Sequence, residues 1–241
     1  MNPMLRTPRF FVLSAVLLVS ALSGRIAAAE PGWRCDFSDP AELRERWGFR
    51  GAKFRVPKTR FFIEKNTEAA GGSVFVVEAN KSTGLFVTLP PGVDLAKYPI
   101  MRWRWRIVRR LSLAEGKADP DDQAAVVYFG DGNYVHQRSV GYRWEHNTPV
   151  GRSGKLNYVG GLMVVNWFCI RNREFPINEW VTEERDVVAD YRRAYGEAPQ
   201  NFCAISVGAN SQYSESDTRV EIDFIELVAR EDATFLPAGK N

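Results

Sequence analysis

Along most of the chain, β-branched and aromatic residues gather into short runs separated by clusters of Gly, Pro, Asn and Asp, the punctuation expected between strands. Eleven such runs predict strands: Phe54 to Val56, Phe61 to Glu64, Ser73 to Ala79, Leu85 to Leu89, Met101 to Val108, Ala124 to Phe129, Val135 to Trp144, Leu162 to Ile170, Trp180 to Asp186, Cys203 to Val207 and Arg219 to Val228. Turn signals fall between them at Gly71-Gly72, Pro90-Pro91-Gly92, Asp131-Gly132-Asn133, Gly151 to Gly154 and Gly160-Gly161. Two short helices interrupt the pattern. Asp39-Pro40-Ala41-Glu42 supplies an N-cap, a proline for the first turn and a capping-box acid, with Gly48 as a stop. Val187 to Tyr195 ends at Gly196. Neither helix is long enough to make a layer. The pattern therefore predicts an all-β fold, one jelly-roll-like β-sandwich from about Glu30 to Ala229, with Arg230 to Asn241 as a tail.

Two strands alternate in a way that bears on function. Met101 to Ile107 places Met101, Trp103, Trp105 and Ile107 on one face and Arg102, Arg104 and Arg106 on the other. The tryptophans fit either a core or a sugar-stacking platform, and the arginines fit either neighbouring carboxylates or an anionic glycan. An apolar face against a charged face is what a half-buried strand requires, which favours the core for the rings. Val135 to His146, if uninterrupted, puts His136, Arg138, Tyr142, Trp144 and His146 on one face, a mixture suited to a saccharide. A bulge at Gly141 would reverse everything beyond it.

Composition narrows the setting. Residues Met1 to Ala29 carry Arg6 and Arg9, then the apolar run Phe10 to Leu22, then Ala27-Ala28-Ala29, which is the pattern of a cleavable secretory signal. That run is too short for a bilayer span. The three arginines of this leader account for the whole formal charge of +3, since without them 29 basic residues face 29 acidic ones. A chain without net positive charge lacks the drive of a general nucleic-acid binder. The expected location is the periplasm or the medium, where Cys35, Cys169 and Cys203 meet disulfide-permissive conditions. A Cys169–Cys203 bridge and two buried thiols are both open, and no Cys/His cluster supports zinc.

Catalytic candidates form an inventory rather than a motif. Asp119-Pro120-Asp121-Asp122 and Asp131-Gly132-Asn133 are either solvated turns or a loop pair able to hold structural calcium. Glycoside hydrolysis would draw on two of Asp122, Glu145, Glu183, Glu184, Asp190, Glu221 and Asp223. Elimination from a uronic-acid polymer would draw on His136, Arg138, Tyr142 and Asn157. No G-x-S-x-G, P-loop, H-E-x-x-H or G-x-G-x-x-G occurs.

Several stretches in series resemble a bacterial family of exported proteins known only as a domain of unknown function. They are Trp103-Arg104-Trp105, Asp121-Asp122 ahead of Ala125-Val126-Val127-Tyr128, Tyr142-x-Trp144 with Pro149 and Gly151, and Trp180 with Glu184-Arg185-Asp186, Asp190-Tyr191 and Tyr195-Gly196-Glu197. The chain departs from the family pattern in having Gln123 and Tyr195 where Phe is usual, and Asn210 and Ser211 where aspartates are expected. The resemblance implies a single envelope β-sandwich and brings no catalytic residues. Together these readings lead to an exported, non-catalytic binder of carbohydrate or envelope polysaccharide. Its expected ligand contacts are Arg104, Asp122, His136, Arg138, Tyr142, Trp144 and Arg185, with no metal or cofactor assigned. The alternatives are a polysaccharide lyase or glycoside hydrolase on the same scaffold, and an envelope scaffold that binds another protein.

Overall fold

The computed structural model describes residues 30–51, 54–89, 92–113, 121–133, 135–200 and 202–230. The leader, the Pro90-Pro91 turn, Asp119-Pro120, nearly all of the tail and the Cys203 side chain lie outside these residues, and with them the proposed cysteine pairing.

In chain order the strands are β1 (Trp33–Cys35), β2 (Trp47–Arg50), β3 (Arg60–Lys65), β4 (Ser73–Asn80), β5 (Thr83–Thr88), β6 (Ile100–Arg109), β7 (Gln123–Gly132), β8 (Gln137–Trp144), β9 (Ser153–Tyr158), β10 (Met163–Arg171), β11 (Val181–Asp186), β12 (Phe202–Asn210) and β13 (Asp217–Val228). Helix α1 (Pro40–Arg46) follows β1, and helix α2 (Val187–Tyr195) follows β11. A six-stranded sheet runs β11-β6-β13-β4-β3, with β1 also paired to β13. A seven-stranded sheet runs β2-β5-β12-β7-β8-β10-β9. All these strand pairs are antiparallel except β8 with β10. The result is the jelly-roll-like β-sandwich with two short helices that the pattern predicts.

Period-two alternation decides what each strand buries. On β6, Met101, Trp103, Trp105 and Ile107 point between the sheets and the arginines point out. On β13, Val220 and Ile222 point inward, then a bulge between Ile222 and Phe224 shifts the phase so that Ile225 and Leu227 do. The interior is largely aromatic. Trp103 meets Tyr142 at 5.4 Å between ring centres, and Trp105 meets Trp144 at 5.4 Å. At one end Phe37, Trp47, Phe61, Phe75 and Phe86 stack together, and at the other Phe129 packs on Phe202 and Tyr191. Polar edges of the rings are satisfied locally: Trp105 Nε1 donates to Glu183 (3.2 Å) and Trp144 Nε1 to the Asn172 carbonyl (3.2 Å).

Outside the six-stranded sheet, the ejected arginines meet carboxylates in rows. Arg102 pairs with Glu184 and Glu226, Arg104 with Asp223, Arg106 with Glu221 and Glu68, and Arg219 with Glu64 and Glu221. The Trp180 ring lies 4.7 Å from the Arg104 guanidinium and 4.5 Å from that of Arg106.

The structure corrects several local expectations. Phe54 to Val56 is a turn, with Arg55 at a φ of 63°, rather than a strand. Strands β1, β2 and β9 were not evident from the pattern, because they are short or lie at a sheet edge and carry little apolar alternation. Helix α1 starts as expected, with Asp39 accepting from Ala41 N–H (2.8 Å), but Gly48 is not its stop, since the chain turns extended at Trp47 and Gly48 belongs to β2. Helix α2 spans Val187–Tyr195 and is closed by Gly196 in the left-handed region, as predicted, and Asp186 at the end of the preceding strand caps its start. No helix among the described residues is long and apolar enough to cross a membrane.

Replacing Trp103 by Ala should cost about 3–5 kcal/mol, because the cavity opens in a packed ring cluster. Arg60→Ala, which removes an exposed partner of Glu78, should cost less than about 1 kcal/mol. Urea unfolding midpoints of the two variants test the contrast.

Candidate functional site

The residues expected to contact ligand do not come together on one surface. Register between β7 and β8 runs unbroken from Gly132↔Gln137 to Ala125↔Trp144, so Gly141 makes no bulge there. The face shared by Arg138, Tyr142 and Trp144 is the inner one. Tyr142 and Trp144 are therefore sealed in the core, Tyr142 donating to Asp190 (3.0 Å) and stacked near Arg185. Burial, reinforced by Asp190, pushes the Tyr142 phenol well up. Arg185 donates twice to the same Asp190 oxygen, at 2.9 and 2.7 Å. Arg138 sits at the strand entrance, exposed, paired with Glu197 over the Tyr195 ring, and His136 is exposed just before it. Arg104 is engaged by fully buried Asp223 at 2.6 Å. Asp122 is buried and accepts the backbone N–H groups of Tyr213 (3.1 Å) and Ser214 (2.6 Å). Burial pushes its carboxyl up, although Ser214 and Tyr213 pull the other way. Asp131, in the second acidic loop, accepts from Tyr191 (2.8 Å). Among the described residues no group of three or more His, Cys, Asp or Glu side chains is placed to hold a metal ion.

The opposite parity of β8 builds a different site. Ser139, Gly141 and Arg143 face away from the core, on the outer side of the seven-stranded sheet. Pairing carries that parity across the sheet in one row: Ser206 of β12 opposite Tyr128 of β7, Tyr128 opposite Gly141 of β8, Gly141 beside Trp167 of β10, and Trp167 opposite Gly154 of β9. Each ring thus stands beside a glycine. A Cβ on Gly141 would fall 2.4 Å from the Tyr128 ring, and one on Gly154 2.6 Å from the Trp167 indole. Only glycine lets both rings approach the backbone this closely.

The next row holds Val126, Arg143 and Cys169. Arg143 is 3% exposed, with its guanidinium 5.1 Å from the centre of the Trp167 ring. Its Nη2 lies 3.1 Å from Asp121 Oδ1 and its Nη1 3.5 Å from Glu145 Oε1. From the edge strand β9, the Tyr158 hydroxyl donates to Asp121 Oδ2 (2.9 Å), closing the ring of groups around the guanidinium. Val126, Tyr128 and Val165, with Leu85 and Trp167, form the apolar floor.

Hydrogen bonding here is incomplete. Arg143 Nε and Nη2 and Asp121 Oδ1 are buried without a well-directed partner among the described residues. Burial pushes the Tyr128 phenol up, with Arg143 pulling the other way; burial, then Tyr128 and Asp121, push Tyr158 up. Burial works against the charge on Arg143, but Tyr128, Glu145 and Asp121 outweigh it and hold the guanidinium charged. Neither tyrosine is poised as a base at neutral pH. The site can stack a ring and exchange hydrogen bonds. Of the carboxylates considered for hydrolysis, Glu145 flanks Arg143 at this site, whereas Glu183 is engaged by Arg171 at 2.6 Å and Glu184 by Arg102 at 3.3 Å elsewhere.

Sequence reasoning passed over Arg143, Tyr128, Trp167 and Tyr158. The available signal was Gly141 within an otherwise bulky strand, which marks the close approach of another group.

A family profile described as "Protein of unknown function (DUF3047)" matches residues 45–226. No curated protein matches the chain. Among solved structures, a family 11 carbohydrate-binding module from Clostridium thermocellum, in complex with a β-1,3-1,4-mixed-linked tetrasaccharide, aligns at a TM-score of 0.43 and 12% identity, over 81% of this chain and 93% of the module. A family 12 xyloglucanase from Bacillus licheniformis aligns at 0.41 and 11%, over 73% and 88% of the two chains. The K2 cleaved adhesin domain of Lys-gingipain aligns at 0.38 and 9%, over 83% and 97%. Scores and identities this low assign no ligand or activity to the present chain.

Two outcomes follow from the geometry. Gly154→Ala should lift the Trp167 indole off β9, costing about 1–3 kcal/mol and changing tryptophan fluorescence. Asp122→Asn should stabilise the protein at neutral pH, because a carboxyl whose folded pKa is raised destabilises the fold once ionised. That gain should shrink as pH falls through the raised folded value and vanish below the ordinary Asp range near ~3.9, as read by thermal melts against pH.

Proposed function

The chain belongs to the DUF3047 family of proteins of unknown function, and from its own residues we propose that it is a non-catalytic binder of carbohydrate in the cell envelope, acting through the outer face of the seven-stranded sheet. One observation carries the reading: the half-buried Trp167 ring packs against Gly154 on the outer face of the seven-stranded sheet, in one cross-strand row with buried Tyr128 and Gly141 and beside the Arg143 guanidinium. A half-buried indole suits the C–H face of a pyranose, and the exposed Tyr158 on the neighbouring edge strand suits its hydroxyls. The raised phenols of Tyr128 and Tyr158 favour binding over turnover. An envelope location is part of the proposal and rests on the leader-like first 29 residues.

Native affinity electrophoresis of the chain lacking that leader, in gels containing neutral and acidic polysaccharides, tests the reading when polymer size is followed in the same samples. Retardation with intact polymer is expected, and Trp167→Ala should weaken it roughly tenfold. Arg138→Ala, at the far end of β8, should leave it unchanged. Shortened polymer would replace the binding reading with an enzymatic one, and retardation that survives Trp167→Ala would remove this face as the site.

A further inference from the structure

We infer that two copies of this chain join through the free edge of β3, each strand extending the six-stranded sheet of the other. Strand β3 ends that sheet, and its register with β4 runs without a bulge from Arg60↔Glu78 to Lys65↔Ser73. Just beyond, the Asn66 N–H donates to the Gly72 carbonyl at 3.1 Å, which marks that pair as hydrogen-bonded. Alternation then turns the backbone N–H and C=O groups of Phe62 and Glu64 toward β4, and those of Phe61, Ile63 and Lys65 toward the open edge. The described residues make no hydrogen bond to these outward groups. Helix α1 does not seal the edge: an open groove of about 350 Å³ lies between Pro40, Leu43 and Arg44 of the helix and Ile63 and Lys65 of the strand. Natural sheets blunt such an edge with charge, proline, a bulge or brevity. Strand β11 has Glu183, Glu184, Arg185 and Asp186, β9 has Lys155, and β2 is only four residues long. Strand β3 carries Phe61-Phe62-Ile63 at its middle, with none of these devices there.

Charge identifies the occupant as a second copy. In an antiparallel pair about a twofold axis at Phe62, the outward groups of Phe61 and Ile63 meet those of Ile63 and Phe61 in the copy, so the backbone parity is satisfied. The same register sets Arg60 opposite the copy's Glu64, and Glu64 opposite its Arg60, on the outer face of the sheet with the two Phe62 rings between them. Shifting by two residues either way loses both ion pairs, because Phe62 then faces Glu64 or Arg60. Arg60 and Glu64 keep 71% and 44% of their side-chain surface exposed, so each can serve the copy as well as its own partner, Glu78 or Arg219. Strand addition here engages the opposite sheet from the proposed carbohydrate face, so the inference goes beyond that reading and does not depend on it.

The test is sedimentation velocity of the same leaderless chain, without polysaccharide, from low micromolar into the hundreds of micromolar. The wild type should form dimers as concentration rises and nothing larger, since a twofold contact closes on itself. Arg60→Glu and Glu64→Arg each set like charges opposite one another on both sides of the axis, and each should weaken the dimer by about tenfold or more. Mixed in equal amounts, the two variants regain opposite charges at both positions and should form a heterodimer, followed by a fluorescent label on one of them. A misfolded variant would not give that rescue, which separates loss of pairing from loss of fold. A wild type that stays monomeric throughout would overturn the inference and leave the edge to an extended segment of another protein. Association that both single variants keep would overturn it as well. Variants that dissociate singly but stay apart on mixing would remove the Phe62-centred register, and the inference with it.

Discussion

Two sheets packed face to face leave a gap of about 10 Å that side chains must fill, and this protein fills it with rings. Trp103 and Trp105 from β6 meet Tyr142 and Trp144 from β8 across that gap. Once those four point inward, period two leaves no freedom to their neighbours. Arg102, Arg104 and Arg106 are forced out on one side of the sandwich, and Gly141 and Arg143 on the other. The outward arginines of β6 would be a dense positive stripe if β13 did not place Glu221, Asp223 and Glu226 alongside, with a bulge supplying the phase shift between Ile222 and Phe224. The paired face and the incompletely paired one are both consequences of how the interior is packed.

That origin explains what the sequence revealed. Alternation in Met101 to Ile107 was strong enough to assign both faces of β6, and the end of α2 at Gly196 was legible because a glycine there carries its own geometry. Strand β9 was not legible, since Ser153 to Tyr158 lies at a sheet edge where little has to be buried, and its glycine reads as a turn residue. The family likeness held over most of the chain, whereas the expected contacts Tyr142 and Trp144 lie on the parity of β8 that faces the core. Histidine, arginine and aromatic residues on one face suggested a saccharide platform, but the packing demand of the gap claimed Tyr142 and Trp144 first.

Arg143 illustrates why the other parity was hard to see. A lone arginine in mid-strand reads as a solvated residue, and nothing local indicates that Tyr128, Trp167 and Tyr158 will converge on it from three other strands. Its burial depends on two glycines that are not adjacent to it in sequence, each removing a Cβ so that a ring can lie low. A buried cation of this kind is costly unless its neighbours are fixed, which ties the rigidity of the face to its polar groups as closely as to its apolar floor.

The parallel pairing of strands β8 and β10 has a kinetic corollary. Tyr128 and Gly141 belong to one antiparallel pair, β7–β8, whose strands are joined by a short turn, and Gly154 and Trp167 belong to a second, β9–β10. Hairpins form early because closing a short loop sacrifices little chain entropy, but no turn joins strands that run in the same direction. The seam between Gly141 and Trp167 therefore closes only when two preformed halves dock. The row of rings comes into being with that late, non-local contact, so a chain stalled before docking would keep most of its local secondary structure and still lack a complete face.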